Sequence, residues 1–324
     1  MFPCCLNVEP GSIFKLVQSL IALNEGVIKL NSYFPCNKQI IGCHNHEPPY
    51  NLKIAIQHSC NPYFYQVYKR LILRGQNSNI FIDSRLGLEK WRNAVQKFGI
   101  GVKLKTDIPG LKKGLLPSLD FYDSWYGKNR WAFSTIYSNS IGEGELGVSP
   151  IQMANLAAII ANKGYYYTPH VIKNIEGDSI SNRFSEKKVT KINKKFFDKI
   201  EIGLFDVFIN GTAKQLKVRG IDICGKSGTA ENFTKINGKK TQLTDHSIFV
   251  AYAPKDDPKI AIAVVVENGY YGSTWAGRIT SLMIEKYLKG DIKYKVRENS
   301  VLNKNLYDEY IKPFSNKPFT INKL

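Results

Sequence analysis

Gly11-Ser12-Ile13-Phe14-Lys15-Leu16-Val17-Gln18-Ser19-Leu20-Ile21-Ala22-Leu23 is the stretch on which the reading of this chain turns. Phe14, Leu16, Val17, Leu20, Ile21 and Leu23 recur every three or four positions, the period of a buried helix that begins at Gly11-Ser12. On such a helix Ser12 and Lys15 share one face. A serine hydroxyl attacks poorly at neutral pH until a base within reach takes its proton, and an amine one turn away is such a base. The helix N-terminus adds a positive field that favours the developing alkoxide. Alone the pattern is weak in a Lys-rich chain. Ser185-Glu186-Lys187-Lys188 repeats it inside a charged stretch, where solvated side chains are the plain reading.

Moving outward, Ser59-Cys60-Asn61 is the single Ser-x-Asn and Lys226-Ser227-Gly228 the single Lys-[Ser/Thr]-Gly of the chain. Ser59-Cys60-Asn61 falls on a turn between two helical segments, 52–58 and the one opened by Asn61-Pro62, with Asn61 expected as N-cap and Pro62 as the first helical residue. Lys226 lies in a β-type run over 221–230. Each motif has a bland alternative: turn and cap residues for Ser59 and Asn61, a surface lysine on an edge strand for Lys226. Chain order separates the two readings, since Ser-x-x-Lys, Ser-x-Asn and Lys-Ser-Gly follow one another on helix, inter-helix turn and strand.

The remaining sequence fits an α+β domain. Residues 74–147, rich in Gly, Pro, Asp and aromatics, read as loops with one helix near 88–98, and Ser149-Pro150 opens a helix over 148–162. A polar, Lys-rich stretch over 176–195 reads as a solvated turn before a helix over 195–209. After Gly211 the period changes to that of three consecutive antiparallel strands, 221–230, 247–254 and 259–267. An amphipathic helix over 275–288 follows, and the remainder to 324 is a polar tail. The domain therefore spans 1–290 and the tail 291–324.

With 324 residues, 43% apolar and 12% aromatic, the chain has ample material for a packed core, which excludes wholesale disorder. Its longest apolar runs, 151–161 and 260–266, are too short to span a bilayer, and the opening Met1-Phe2-Pro3-Cys4-Cys5 does not resemble a secretion signal. The formal net charge is +18, from 45 basic and 27 acidic residues. The lysines are scattered rather than striped, so charge alone makes no case for a nucleic acid partner.

Six cysteines, unevenly placed, do not form a disulfide framework. Cys36, Cys43, His44 and His46 nevertheless fall within eleven residues, and Cys60 separates Ser59 from Asn61. Cys36, Cys43 and His46, with Cys60 or His44, would supply a tetrahedral zinc site. A Cys36–Cys43 disulfide and plain loop thiols are the competing readings.

Five stretches, Glu9-Pro10-Gly11-Ser12 through Lys15, His58-Ser59-Cys60-Asn61-Pro62-Tyr63-Phe64-Tyr65, Ser140-Ile141-Gly142-Glu143-Gly144-Glu145, Cys224 through Asn232, and Asp245-His246-Ser247 through Pro254, together resemble a class B penicillin-binding protein of the elongation type, the penicillin-binding protein 2 group. The resemblance covers roughly residues 11–290. It implies the penicillin-binding transpeptidase or serine β-lactamase-like fold, an antiparallel sheet flanked by helices with a helix-rich lobe. It implies a peptidoglycan D,D-transpeptidase that cross-links stem peptides through a serine acyl-enzyme, binds β-lactams covalently, requires no cofactor and works beside a rod-shape-system glycosyltransferase. Ser12 would be the nucleophile, Lys15 its base, Ser59 and Asn61 a proton relay and amide clamp, and Lys226 the charge that meets the terminal carboxylate. Ser227, Gly228 and Thr229 would line the substrate, with Ser227 where Thr is usual, and the N–H groups of Ser12 and Thr229 would form the oxyanion hole. A β-lactamase and a non-catalytic penicillin-sensing fragment are the alternatives.

Such proteins are anchored in the inner membrane and face the periplasm, and they carry a longer segment before Ser-x-x-Lys than the eleven residues found here. This resemblance therefore presents the chain as the C-terminal part of a longer protein, less stable and less soluble by itself than a version extended upstream.

Overall fold

The computed structural model describes residues 7–176 and 179–306; the opening residues with Cys4 and Cys5, residues 177–178 and the end of the tail from 307 lie outside the described residues. A one-turn 3-10 segment, Gly11–Ile13, runs into α1 (Phe14–Asn24), which is buried from Phe14 to Leu23. Asn51 caps α2 (Leu52–His58) by accepting from the Ile54 N–H at 3.0 Å, and α2 stops where Ser59 turns left-handed, φ 58°. Helix α3 (Asn61–Ile72) carries Pro in its first turn and buries Tyr63, Phe64, Val67, Tyr68 and Leu71.

Then come α4 (Ile80–Gln96), α5 (Leu119–Tyr126), α6 (Phe133–Ile136) and a 3-10 segment, Tyr137–Ile141. Ser149 and Gln152 cap each other's backbone at the start of α7 (Pro150–Ala161). A two-residue pairing of β1 (Tyr165–Tyr166) with β2 (Lys188–Val189) precedes α8 (Lys194–Ile209). The main sheet is β3 (Cys224–Ile236), β4 (Lys239–Ala253) and β5 (Ile260–Val266), antiparallel in that order, followed by α9 (Ala276–Lys289) and α10 (Lys295–Leu302).

The sheet separates two apolar layers because its side chains alternate. Along β5, Ala261, Ala263 and Val265 pack into the large core of the helical lobe, and α7 lies on the strand. Ile262 and the partly buried Ile260, Val264 and Val266 pack into the second core under α9. In the lobe a buried polar chain ties α1 to its neighbours. Trp91 Nε1 donates to Gln18 Oε1 at 2.8 Å, Gln18 Nε2 to the Asn139 carbonyl at 3.1 Å, and Asn139 Nδ2 to the Tyr122 hydroxyl at 2.9 Å.

Several boundaries differ from the sequence reading. Helix α4 begins at Ile80 because Asn79 accepts from the Phe81 N–H at 2.9 Å, and α5 exists because Ser118 caps it in the same way. The cap of α3 is Cys60, not Asn61: the Asn61 carboxamide is turned into the site described below. β3 and β4 run well past Ala230 as a hairpin closed by Asn237-Gly238, both at positive φ (51° and 77°), the signature of a type I′ turn. Within the presumed polar tail α10 forms and packs on α9, where Arg297 Nη1 reaches Ser281 Oγ at 2.9 Å. No helix among the described residues is long and apolar enough to cross a membrane.

Candidate active site

Two glycines seat the start of α1 against the sheet and the 3-10 segment. Gly11 stands at φ +54°, and a Cβ there would lie 2.3 Å from the Thr229 carbonyl oxygen, so only glycine lets residue 12 approach β3 this closely. Its N–H donates to the Gly142 carbonyl at 2.9 Å. Gly142, at φ +81°, would place a Cβ 2.0 Å from the Gly11 oxygen. Ser12, Thr229 and Glu143 thereby come to line one cleft.

One turn on, Lys15 is completely buried. Its Nζ donates to the Ser59 carbonyl at 2.8 Å, to Ser59 Oγ at 3.1 Å and to Asn61 Oδ1 at 2.5 Å, which uses all three protons of an ammonium. Ser12 Oγ is not among these partners. Burial lowers the Lys15 amine from 10.5 to about 8, so a neutral amine is within reach near physiological pH. The left-handed Ser59 presents both its carbonyl and its hydroxyl to that amine, and Asn61 Nδ2 is anchored on the Gly42 carbonyl at 2.7 Å.

On β3, Lys226 and Gly228 are buried while Ser227 and Thr229 are half-buried, the alternation of a strand. Ser227 Oγ lies 3.0 Å from Thr212 Oγ1, and Thr229 Oγ1 accepts from the Gly272 N–H at 3.3 Å. Lys226 is fully buried, with Nζ on the Ser227 carbonyl at 3.0 Å. Burial first, and the charge of Lys15 second, push its pKa well down. Ser12, Ser59, Asn61, Ser227 and Thr229 line one cleft of about 420 Å³; Lys15 and Lys226 are not part of its lining. Glu143, Thr212, Tyr271 and His44 share that lining. Glu143, within Ser140-Ile141-Gly142-Glu143-Gly144-Glu145, was not read as a site residue, and Thr212 and Tyr271 carry no local signal. Ser185 is exposed and bonds only its own turn, Oγ to the Asn182 carbonyl at 3.1 Å.

Beside the cleft the ligand atoms of Cys36, Cys43, His46 and Cys60 all lie within 4.8 Å of one another. His46 Nε2 is 3.2 Å from Cys43 Sγ and 3.5 Å from Cys36 Sγ, while its Nδ1 meets the Glu47 carbonyl at 2.7 Å, the kind of outer contact that orients a ligating imidazole. Three thiols and one imidazole at this spacing suit zinc. His44 stands outside the group, its ring 4.9 Å from that of His46. The four described cysteines are free thiols, and the Asn61 N–H points at Cys43 Sγ at 3.4 Å.

The chain is 30% identical over 277 residues to the peptidoglycan D,D-transpeptidase MrdA of Acinetobacter baumannii, covering 81% of this chain and 38% of that protein. The crystal structure of Pseudomonas aeruginosa PBP2 in complex with WCK 5153 matches with a TM-score of 0.70 at 25% identity, over 97% of this chain and 64% of that one. A peptidoglycan synthase complex described as coordinating polymerization and crosslinking shares the fold, with a TM-score of 0.71 at 23% identity over 90% of this chain and 48% of that one. The chain spans less than half the length of the curated relatives it matches. Residues 4–285 match the model of the penicillin binding protein transpeptidase domain, and the chain belongs to that family.

Proposed function

We propose that this chain is the acyl-transfer part of a peptidoglycan D,D-transpeptidase. The observation that carries the reading is the buried amine of Lys15 holding both Ser59 and Asn61 beside a cleft that also contains Ser12, Ser227 and Thr229. A stem peptide ending in D-alanyl-D-alanine enters with its carboxylate against Ser227 and Thr229, above the buried Lys226. The neutral Lys15 amine takes the Ser12 proton as Oγ attacks the penultimate carbonyl. Negative charge on the tetrahedral oxygen is met by the N–H groups of Ser12 and Thr229, donors fixed in place before reaction. The Ser59 hydroxyl passes a proton to the leaving D-alanine, and an amine from a second stem then displaces Ser12. A β-lactam enters the same path and stops at the acyl-enzyme. Labelled penicillin is expected to map to Ser12 and to vanish in Ser12→Ala while persisting in Ser185→Ala; a label on another residue overturns the assignment.

We further propose that zinc, rather than a disulfide, occupies Cys36, Cys43, His46 and Cys60. There it supplies a structural crosslink. The partners proposed are peptidoglycan stem peptides, β-lactams and a glycosyltransferase of the rod-shape system, at the periplasmic face of the inner membrane. The match to a complex that couples polymerization with crosslinking supports that setting. Nucleic acid has no part in this reading.

A further inference from the structure

The cleft contains a carboxylate for which the steps above find no use. Among its described lining residues Glu143 is the one acid. Its backbone is fixed from both sides: its N–H donates to the Ser138 carbonyl at 3.3 Å, and the preceding Gly142 carbonyl accepts from Gly11, the residue before the nucleophile. No hydrogen bond among the described residues engages its carboxylate, whose charge feels burial, repulsion from Glu231 and Asp245, and attraction from Lys15. The charged groups around it come from three elements and the segment that leads into α1. They are Lys15 on α1, Glu9 ahead of α1, Glu231 on β3 and Asp245 on β4.

Acylation uses the neutral Lys15 amine and the buried Lys226 and leaves this acid idle. The second half-reaction has the opposite need. Its nucleophile is a primary amine, which at neutral pH is an ammonium without a lone pair. We infer that Glu143 is the acceptor base, a carboxylate that draws the acceptor's ammonium to the Ser12 ester and takes the proton that frees its lone pair. This assignment rests on the transpeptidase reading and deepens it. The atoms balance as follows. One N–H proton goes to the Glu143 carboxylate, the nitrogen bonds the acyl carbon, and the C–O bond to Ser12 breaks. A second N–H proton reaches Ser12 Oγ through Lys15, and Glu143 then loses its proton to solvent. Burial, and after it Glu231, raise Glu143 from 4.5 to about 7, which suits a base working near neutrality.

The test uses the chain with a thioester depsipeptide donor and N-acetyl-lysine amide as acceptor, reading the ratio of amide product to hydrolysed acid. Glu143→Gln is expected to lower that ratio by about ten-fold or more, as loss of a general base does. The wild-type ratio should rise with pH through about 7, and the Gln variant should lack that limb. Glu143→Asp, which keeps a carboxylate, should fall between the two. An unchanged ratio, or equal losses of aminolysis and hydrolysis, overturns the acceptor role and leaves the transpeptidase reading standing. A wild-type chain that never acylates on the donor overturns that reading and Glu143's role with it.

Discussion

At the residue scale the telling group is Lys15, because one amine both holds the Ser59–Asn61 turn and stands one helical turn from Ser12. As an ammonium it spends its protons on Ser59 and Asn61; as a neutral amine it gains the lone pair that base catalysis requires. Burial sets the crossover near pH 8. The acylation rate by penicillin is therefore expected to rise with pH through about 8, since the inactive form is the protonated one. Lys15→Ala should remove on the order of 10²-fold to 10⁴-fold of that rate, and Lys226→Ala less, because Lys226 acts through its field and not by proton transfer. Equal losses in the two variants, measured by stopped-flow acylation, would sink the assignment. Helical spacing placed Ser12 and Lys15 on one face, and the structure turns the Lys15 amine toward Ser59 and Asn61. Those two partners were legible only through chain order, since Ser59 stands 44 residues from Lys15 and no local period links them. Glu143 was invisible as a site residue because the Gly142–Gly11 contact that brings its neighbour to the start of α1 spans distant parts of the chain.

At the element scale, capping and turn chemistry decided what the sequence disclosed. Asn61-Pro62 and Ser149-Pro150 announced α3 and α7 closely, whereas the far half of the β3–β4 hairpin was missed because its polar residues break the alternation. Its signal was the Asn237-Gly238 pair. The turn between α2 and α3 is short, left-handed at Ser59 and tethered by Asn61 to Gly42 and Cys43. A metal on Cys36, Cys43, His46 and Cys60 would fix that turn from behind. Elemental analysis should find one zinc per chain, with Cys43→Ser losing it and exchanging its amides faster between residues 36 and 61; metal-free wild type would remove the idea. The seat of α1 is equally specific. Gly11→Ala adds a methyl 2.3 Å from a backbone oxygen at a positive φ, so it should cost about 1–3 kcal/mol of stability and slow acylation. A variant as stable and as fast as wild type in urea titration and labelling would show that Gly11 sets no geometry.

For the whole molecule the fold class was legible because the three motifs and the change of period after Gly211 each pointed to a sheet packed on a helical lobe. The balance of charge was not, since the excess of +18 conceals a local excess of acid beside the cleft. Burial comes first among the causes at Glu9, Glu143 and Asp245, followed by repulsion from neighbouring carboxylates, Glu143 for Glu9 and Glu231 for the other two. Glu9 and Glu143 rise from 4.5 to about 7 and Asp245 from 3.8 to about 6. Between these pairs of values the folded protein keeps protons that the unfolded chain has released, so stability from these groups is present at low pH and falls as pH rises toward 7. Above about 7 the fold bears the full cost of three crowded anions, in the range where the proposed chemistry needs Glu143 charged. That is a site kept at the expense of stability. Glu9→Gln combined with Glu143→Gln is expected to raise the urea midpoint at pH 8 and to change it much less at pH 5. An equal shift at both pH values would mean that packing, and not charge, governs the effect, while a lower midpoint at pH 8 would mean that the anions stabilise the fold.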